Sequence, residues 1–352
     1  MSLDRRTFLK GMLAGSAAAV ACAPNQVEAR GNLTLPPKAM GLLFDSTLCI
    51  GCKACVAACK EANGLPPEFT KPDDVWDTPL DISGKTKNII KVYRHGSGLN
   101  KDAEVDGYAF MKHSCLHCVD PSCVSACPVS AMKKDPVDGI VSYDEKACIG
   151  CRYCVVACPF SVPKFEYDKA LPKIVKCELC RHLKPGDAFQ YPACAQVCPT
   201  GATLYGPVAE LKAEAQRRLA LKPGSEAEFP RGRIGQALGD KAADATTWAS
   251  PSSHSKHADS HVARVPHYIQ RIYGDKELGG TQVLKLSAVP MDKLGMPELP
   301  ERSFASVSET MQHTLYGYLI APAIVLGGLI IAAKRNVRPE EDAADDTTAE
   351  KQ

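Results

Sequence analysis

Cys148-Ile149-Gly150-Cys151-Arg152-Tyr153-Cys154-Val155-Val156-Ala157-Cys158-Pro159 reads C-x2-C-x2-C-x3-C-P, a spacing by which thiolates hold iron–sulfur clusters. Three cysteines three residues apart let a tight loop wrap one corner of a cubane, which a regular helix or strand cannot do. Gly150 lets the backbone approach closely and turn its N–H groups toward the sulfides. The fourth cysteine lies past the loop and reaches a different cluster, and Pro159 cannot continue the helical turn behind it.

Three related quartets surround this one. Cys49, Cys52, Cys55 and Cys59 keep its spacing, with Lys60 in place of the proline. Cys115, Cys118, Cys123 and Cys127-Pro128 place four residues between the second and third cysteines. Cys177, Cys180, Cys194 and Cys198-Pro199 carry a long insertion before the third. The quartets absorb 16 of the 17 cysteines and leave only Cys22, which decides the reading in favour of iron–sulfur ligation. Structural zinc wants C-x2-C pairs without a third close cysteine. A disulfide framework belongs to small secreted scaffolds, and a chain of 352 residues is long enough to build a core.

That length predicts two or three domains. A net charge of +2 with 23% charged residues gives no sign of nucleic-acid binding. Aromatics are sparse at 6%, so cofactors should replace part of an ordinary core. No C-x-x-C-H motif for covalent haem occurs, nor a P-loop, nor a convincing dinucleotide fingerprint. A self-contained enzyme would need a nucleophile, an acid–base pair or an organic cofactor site, and no such candidate stands out.

At the N-terminus, Asp4-Arg5-Arg6-Thr7-Phe8-Leu9-Lys10 and the apolar run Gly11 to Ala23 read as a twin-arginine signal over residues 1–29, with Val27-Glu28-Ala29 as a cleavage site. Cys22 either leaves with the signal or is lipidated. Twin-arginine export carries folded proteins, which suits clusters inserted in a reducing cytoplasm.

Gly41 to Asp45 predicts a strand leading into the first quartet. Residues 64–112 read as an insertion containing a strand from Asn88 to Tyr93. Ala131 to Lys134 and Gly139 to Tyr143 predict a hairpin around Asp138-Gly139, and Ala202 to Tyr205 a closing strand. Pro207 opens an amphipathic helix with Val208, Leu211, Ala215 and Leu219 on one face. The helix and a flexible linker fill 207–263; the stretch 222–263 carries His254, His257 and His261, for which a solvated linker is the favoured reading over a metal site. Residues 264–310 form an extension, expected to dock on partner subunits, with a strand in Gly279 to Leu286. Tyr316 to Ala333 is apolar and uncharged, about 27 Å long as a helix at ~1.5 Å per residue, enough to span a bilayer. This predicts a transmembrane helix over 314–334. Lys334, Arg335 and Arg338 follow it and put the acidic tail of 335–352 in the cytoplasm, with everything upstream outside.

The nested quartets, with their Cys-Pro endings and the insertion in the last, resemble the four-cluster iron–sulfur subunits of membrane oxidoreductases over residues 41–206. His267-Tyr268-Ile269-Gln270-Arg271-Ile272-Tyr273-Gly274, Gly279-Gly280-Thr281-Gln282-Val283-Leu284 and Pro297-Glu298-Leu299-Pro300 resemble the iron–sulfur subunit of hydrogenase-2-type uptake nickel–iron hydrogenases. The resemblance implies an α+β fold of two nested, pseudo-symmetric ferredoxin-like modules with insertions, plus the C-terminal transmembrane helix. It implies that motifs exchange ligands: Cys49, Cys52 and Cys55 with Cys198; Cys177, Cys180 and Cys194 with Cys59; Cys115, Cys118 and Cys123 with Cys158; Cys148, Cys151 and Cys154 with Cys127. Some relatives replace a cysteine of the third quartet; here every position is filled, which implies four 4Fe–4S clusters.

The resemblance implies a non-catalytic electron-transfer subunit at the periplasmic face of the inner membrane. Its partners would be the small and large subunits of a nickel–iron hydrogenase and a polytopic, quinone-interacting membrane subunit. The alternative is service to a molybdopterin oxidoreductase for formate, polysulfide, thiosulfate or dimethyl sulfoxide. Ile50, Val56, Ile149, Val155 and Val156 are expected to exclude water from the clusters.

Overall fold

The computed structural model describes residues 30–70, 75–235 and 260–336. The export signal with Cys22, the pair His254 and His257, and the tail from residue 337 lie outside the described residues.

In chain order the first strands are β1 (Met40–Asp45), β2 (Ile89–Arg94), β3 (Asn100–Lys101), β4 (Gly107–His113), β5 (Met132–Lys134) and β6 (Val141–Tyr143). They continue as β7 (Lys164–Phe165), β8 (Ile174–Val175), β9 (Thr203–Pro207), β10 (Glu226–Pro230), β11 (Gly232–Arg233), β12 (Ser260–Arg264) and β13 (Val283–Leu286). The helices are α1 (Ala54–Ala62), α2 (Ser122–Ser125), α3 (Tyr153–Ala157), α4 (Ala193–Gln196), α5 (Val208–Ala220) and α6 (Phe304–Asn336).

One compact unit spans Gly31–Ser306. Its central sheet has the order β11-β9-β1-β13. β1 pairs antiparallel with β9 and parallel with β13, putting Leu42 opposite both Tyr205 and Val283. Leu42, Leu43 and Phe44 are almost wholly buried, as a central strand covered on both faces requires. Gly41 is needed there because a Cβ would lie 1.9 Å from the Gln282 carbonyl oxygen.

α5 packs on this sheet through Val208, Leu211 and Ala215, and also buries Arg218. Burying a guanidinium is costly unless it is paired. Arg218 donates to Asp45 Oδ2 at 2.8 Å and to Glu214 Oε1 at 2.8 Å, and the Tyr268 hydroxyl donates to the same Asp45 oxygen at 2.7 Å.

Strand pairing adds to the sequence reading in one place and departs from it in another. The strand expected in Gly279 to Leu286 forms as β13, and it joins the central sheet beside β1. Part of the expected linker forms β10 and β12, which pair antiparallel and place His261 on β12 opposite Phe229. The insertion folds as the sheet β2-β4-β3, and the expected hairpin forms as β5-β6.

Helices mark the two-part plan of the cysteine region: α1 packs against α4, and α2 against α3. A small core of Ala58, Phe189 and Ala193 fills the first contact. Met132, Val141, Cys154 and Ile174 form a core beside the second.

The other unit contains Arg30 and the chain from Val307. There Arg30 Nε donates to Glu309 Oε2 at 2.6 Å. α6 begins ten residues before the expected span, and over Phe304–Lys334 it is long and apolar enough to cross a membrane. Leu315, Leu319, Ile320, Ile324, Leu326 and Ile331 are all more than half exposed, so this is not the buried helix of a soluble core.

Candidate iron–sulfur centres

Every quartet opens with the same backbone turn. The second residue after its first cysteine has a left-handed conformation: Gly51 (φ 69°), His117 (φ 50°), Gly150 (φ 72°) and Leu179 (φ 50°). The turn faces the chain inward, and backbone N–H groups meet sulfur, with Gly150 N and Leu179 N each 3.4 Å from Cys148 Sγ and Cys177 Sγ. Glycine adopts this conformation freely, whereas His117 and Leu179 do so under strain held by burial.

The fourth cysteines end each motif in two ways. After Cys127, Cys158 and Cys198 a proline stops the helical turn, and Ser130, Ser161 and Gly201, each three residues beyond its cysteine, are left-handed. After Cys59, Lys60 lets α1 continue to Ala62, and Asn63 Nδ2 caps the Cys59 carbonyl at 2.8 Å.

The loops bring the side chains into four groups. Cys49 lies near Cys52 and Cys198, and Cys55 near Cys49 and Cys198. Cys59 lies near Cys194, and both lie near Cys177 and Cys180. Cys118 and Cys123 are near Cys115 and Cys158. Cys154 is near Cys127, Cys148 and Cys151. Electrostatic influence also crosses between groups, from Cys194 to Cys55, from Cys115 to Cys177 and from Cys154 to Cys123.

Small cavities of about 10 Å³ and about 20 Å³ lie among the cysteines of the Cys59 and Cys49 groups. A lone tetrahedral zinc draws its sulfurs to within about 4 Å of one another. Among the described residues no three His, Cys, Asp or Glu side chains converge on a single-ion site. All 16 cysteines of the quartets carry free thiols.

Burial raises the pKa values of several of the thiols: Cys49 and Cys180 to about 12, Cys154 and Cys158 to about 11. Thiolates must form when metal binds, so a buried cationic lining is needed beside them. Lys112, Lys134 and Lys176 supply it. Lys134 Nζ donates to the Cys118 carbonyl at 2.8 Å and to Gln282 Oε1 at 2.6 Å, and Lys176 Nζ to the Cys177 carbonyl at 3.0 Å. Burial works against the charge of Lys112, but Cys194 and Cys55 more than offset it and hold its pKa above the usual lysine value. These lysines went unread in the sequence. Their signal is a lysine inside an otherwise apolar strand, as in Ala109-Phe110-Met111-Lys112.

The expected water-excluding residues divide. Val56 is buried and Val155 half-buried, but Ile50, Ile149 and Val156 are 53%, 66% and 86% exposed. Ile50 and Ile149 sit in the loops between cysteines, and Val156 on the outward face of α3. Cys52 is exposed as well.

A family described as a 4Fe-4S dicluster domain matches residues 107–207. Over 347 residues, 98% of this chain and 99% of the relative, the sequence is 43% identical to the hydrogenase-2 operon protein HybA of Escherichia coli O157:H7. It is 35% identical to the iron–sulfur subunit of the nitrate-inducible formate dehydrogenase of Escherichia coli K12, over 51% of this chain and 58% of that one. The iron–sulfur subunit of formate dehydrogenase-O from the same strain is 34% identical over 55% of the chain and 63% of its own length.

Proposed function

Because the chain belongs to the family of the hydrogenase-2 operon protein HybA, an iron–sulfur electron-transfer family, we propose that it is a four-cluster wire between a hydrogenase and a membrane quinone site. The observation that supports this reading is the set of 16 free cysteines in four quartets, with cysteines of different quartets acting on one another's thiols. Cys49, Cys52, Cys55 and Cys198 hold one 4Fe–4S cluster, and Cys59, Cys177, Cys180 and Cys194 the next. Cys115, Cys118, Cys123 and Cys158 hold the third; Cys127, Cys148, Cys151 and Cys154 hold the fourth. When bound, the clusters supply one-electron storage and transfer. The chain's own groups fix them: thiolates occupy every iron corner, loop N–H groups bond sulfur, and buried lysines offset the negative charge.

With every iron held by cysteine, no corner is open to substrate, so chemistry belongs to a catalytic partner and this subunit is not itself an enzyme. The exposed Ile50 and Cys52 of the first quartet, and Ile149 and Val156 of the third, are where partner proteins approach. α6 anchors the subunit in the bilayer, and Arg5-Arg6 directs the folded protein to the periplasmic side. Hydrogenase small and large subunits are favoured over a molybdopterin partner because the match to the HybA protein runs the length of the chain, whereas the formate dehydrogenase matches stop at about half of it.

Deleting the subunit is expected to abolish hydrogen-dependent quinone reduction in membranes and leave formate-dependent quinone reduction unchanged. Restoring the chain restores the first activity. Loss of the formate-dependent activity alone would transfer the subunit to the molybdopterin reading.

A further inference from the structure

We propose that Lys112 is a fixed cation shared by the Cys49 and Cys59 groups, and that it raises the reduction potentials of both clusters those groups take. The inference rests on the cluster reading above. Lys112 closes the buried end of β4 and is 2% exposed. Its Nζ reaches Thr203 Oγ1 at 3.5 Å. Thr203 and Cys55 line the space inside the Cys49 group, while Cys194 and Lys112 itself line the space inside the Cys59 group. Lys112 therefore lines one space itself and reaches a residue that lines the other.

Among the described residues no carboxylate pairs with Lys112. A buried ammonium without a counter-charge is too costly to keep. The anions it answers are thus the thiolates and what they hold. Lys134 and Lys176 differ, because their ammonium groups are taken up by backbone carbonyls and, for Lys134, by Gln282. The backbone that carries it is held as well, since the Lys112 carbonyl accepts from Lys285 Nζ at 2.8 Å. A positive charge between two centres favours the more negative state of each. One electron arrives at a centre and no proton need follow, as the lysine already carries its own.

The test is a potentiometric titration of the anaerobic, fully loaded protein, read by electron paramagnetic resonance. Four forms are compared: wild type, Lys112→Met, Lys112→Arg and Thr203→Val. In Lys112→Met two of the four midpoints should fall, each by about tenfold in the reduction equilibrium constant, which is about 59 mV for a one-electron couple. The other two should stay. Lys112→Arg, which keeps the charge, should remain near wild type, and Thr203→Val should lower one midpoint by freeing the ammonium from the Cys49 side. Four unmoved midpoints, four that move together, or an arginine variant that behaves like methionine would overturn the proposal. If Lys112→Met loses iron, Thr203→Val decides, and unmoved midpoints there overturn it. Wild-type protein carrying zinc or half the iron would instead overturn the four-cluster reading itself, so the two failures are told apart by metal content.

Discussion

Asp102 shows how closely the charged lining constrains individual side chains. Its carboxylate pairs with Lys101 at 2.5 Å, while its Oδ1 is buried without a hydrogen bond. Burial pushes its pKa up to about 6 against the pull of Lys101. The folded protein then holds this proton up to about pH 6, whereas the unfolded chain releases it near pH 4, so stability should fall as pH rises through that window. The full effect is at most about 3 kcal/mol. Asp102→Asn should remove the slope. Thermal midpoints of the loaded protein at about pH 5 and about pH 7 would check it, since the wild-type difference should shrink in the variant. An unchanged difference would assign the slope to other groups.

Among the elements, α1 carries the clearest prediction, because it is where one quartet lacks the proline of the other three. Lys60 continues the helix, and its Nζ donates to the Pro66 carbonyl at 2.8 Å and to Thr86 Oγ1 at 2.7 Å. Lys60→Pro would clash with the preceding turn and cost about 3 kcal/mol locally. Cys59 should be displaced, and about a quarter of the iron lost with the cluster it shares with Cys177, Cys180 and Cys194. Full iron content in this variant would show that Cys59 needs no helix behind it. The cysteine spacings, the turn at Gly150 and the strands at Gly41 to Asp45 and Asn88 to Tyr93 are legible in the sequence because each is set by neighbours a few residues away. β13 beside β1 is not, since that pairing joins residues some 240 positions apart and depends on the burial of both strands. The buried lysines escaped for the same reason: their partners come from distant loops. Ile50, Ile149 and Val156 are exposed because hydrophobicity alone does not say which side of a tight loop or of a short helix a residue takes.

For the molecule as a whole, the quartets and the apolar helix divide the work. All 16 quartet cysteines lie between Cys49 and Cys198, inside the unit Gly31–Ser306, and α6 contributes none. Removing residues 312–352 should leave a soluble protein with its iron intact that still passes electrons from its catalytic partner to an artificial acceptor. Quinone reduction in membranes should fall by roughly tenfold or more, because the anchor's effective concentration is lost. Measured on one preparation, undiminished quinone reduction would mean that protein contacts alone dock the subunit, and loss of iron would mean that the helix helps build the fold.

The central claim is four clusters in one chain, and counting metal tests it most directly. Iron, zinc and acid-labile sulfide should be determined on the anaerobically purified protein, per chain. Four cubanes require about 16 iron and about 16 sulfide, with no stoichiometric zinc. A value near 8 iron, or zinc in place of iron, would contradict the account.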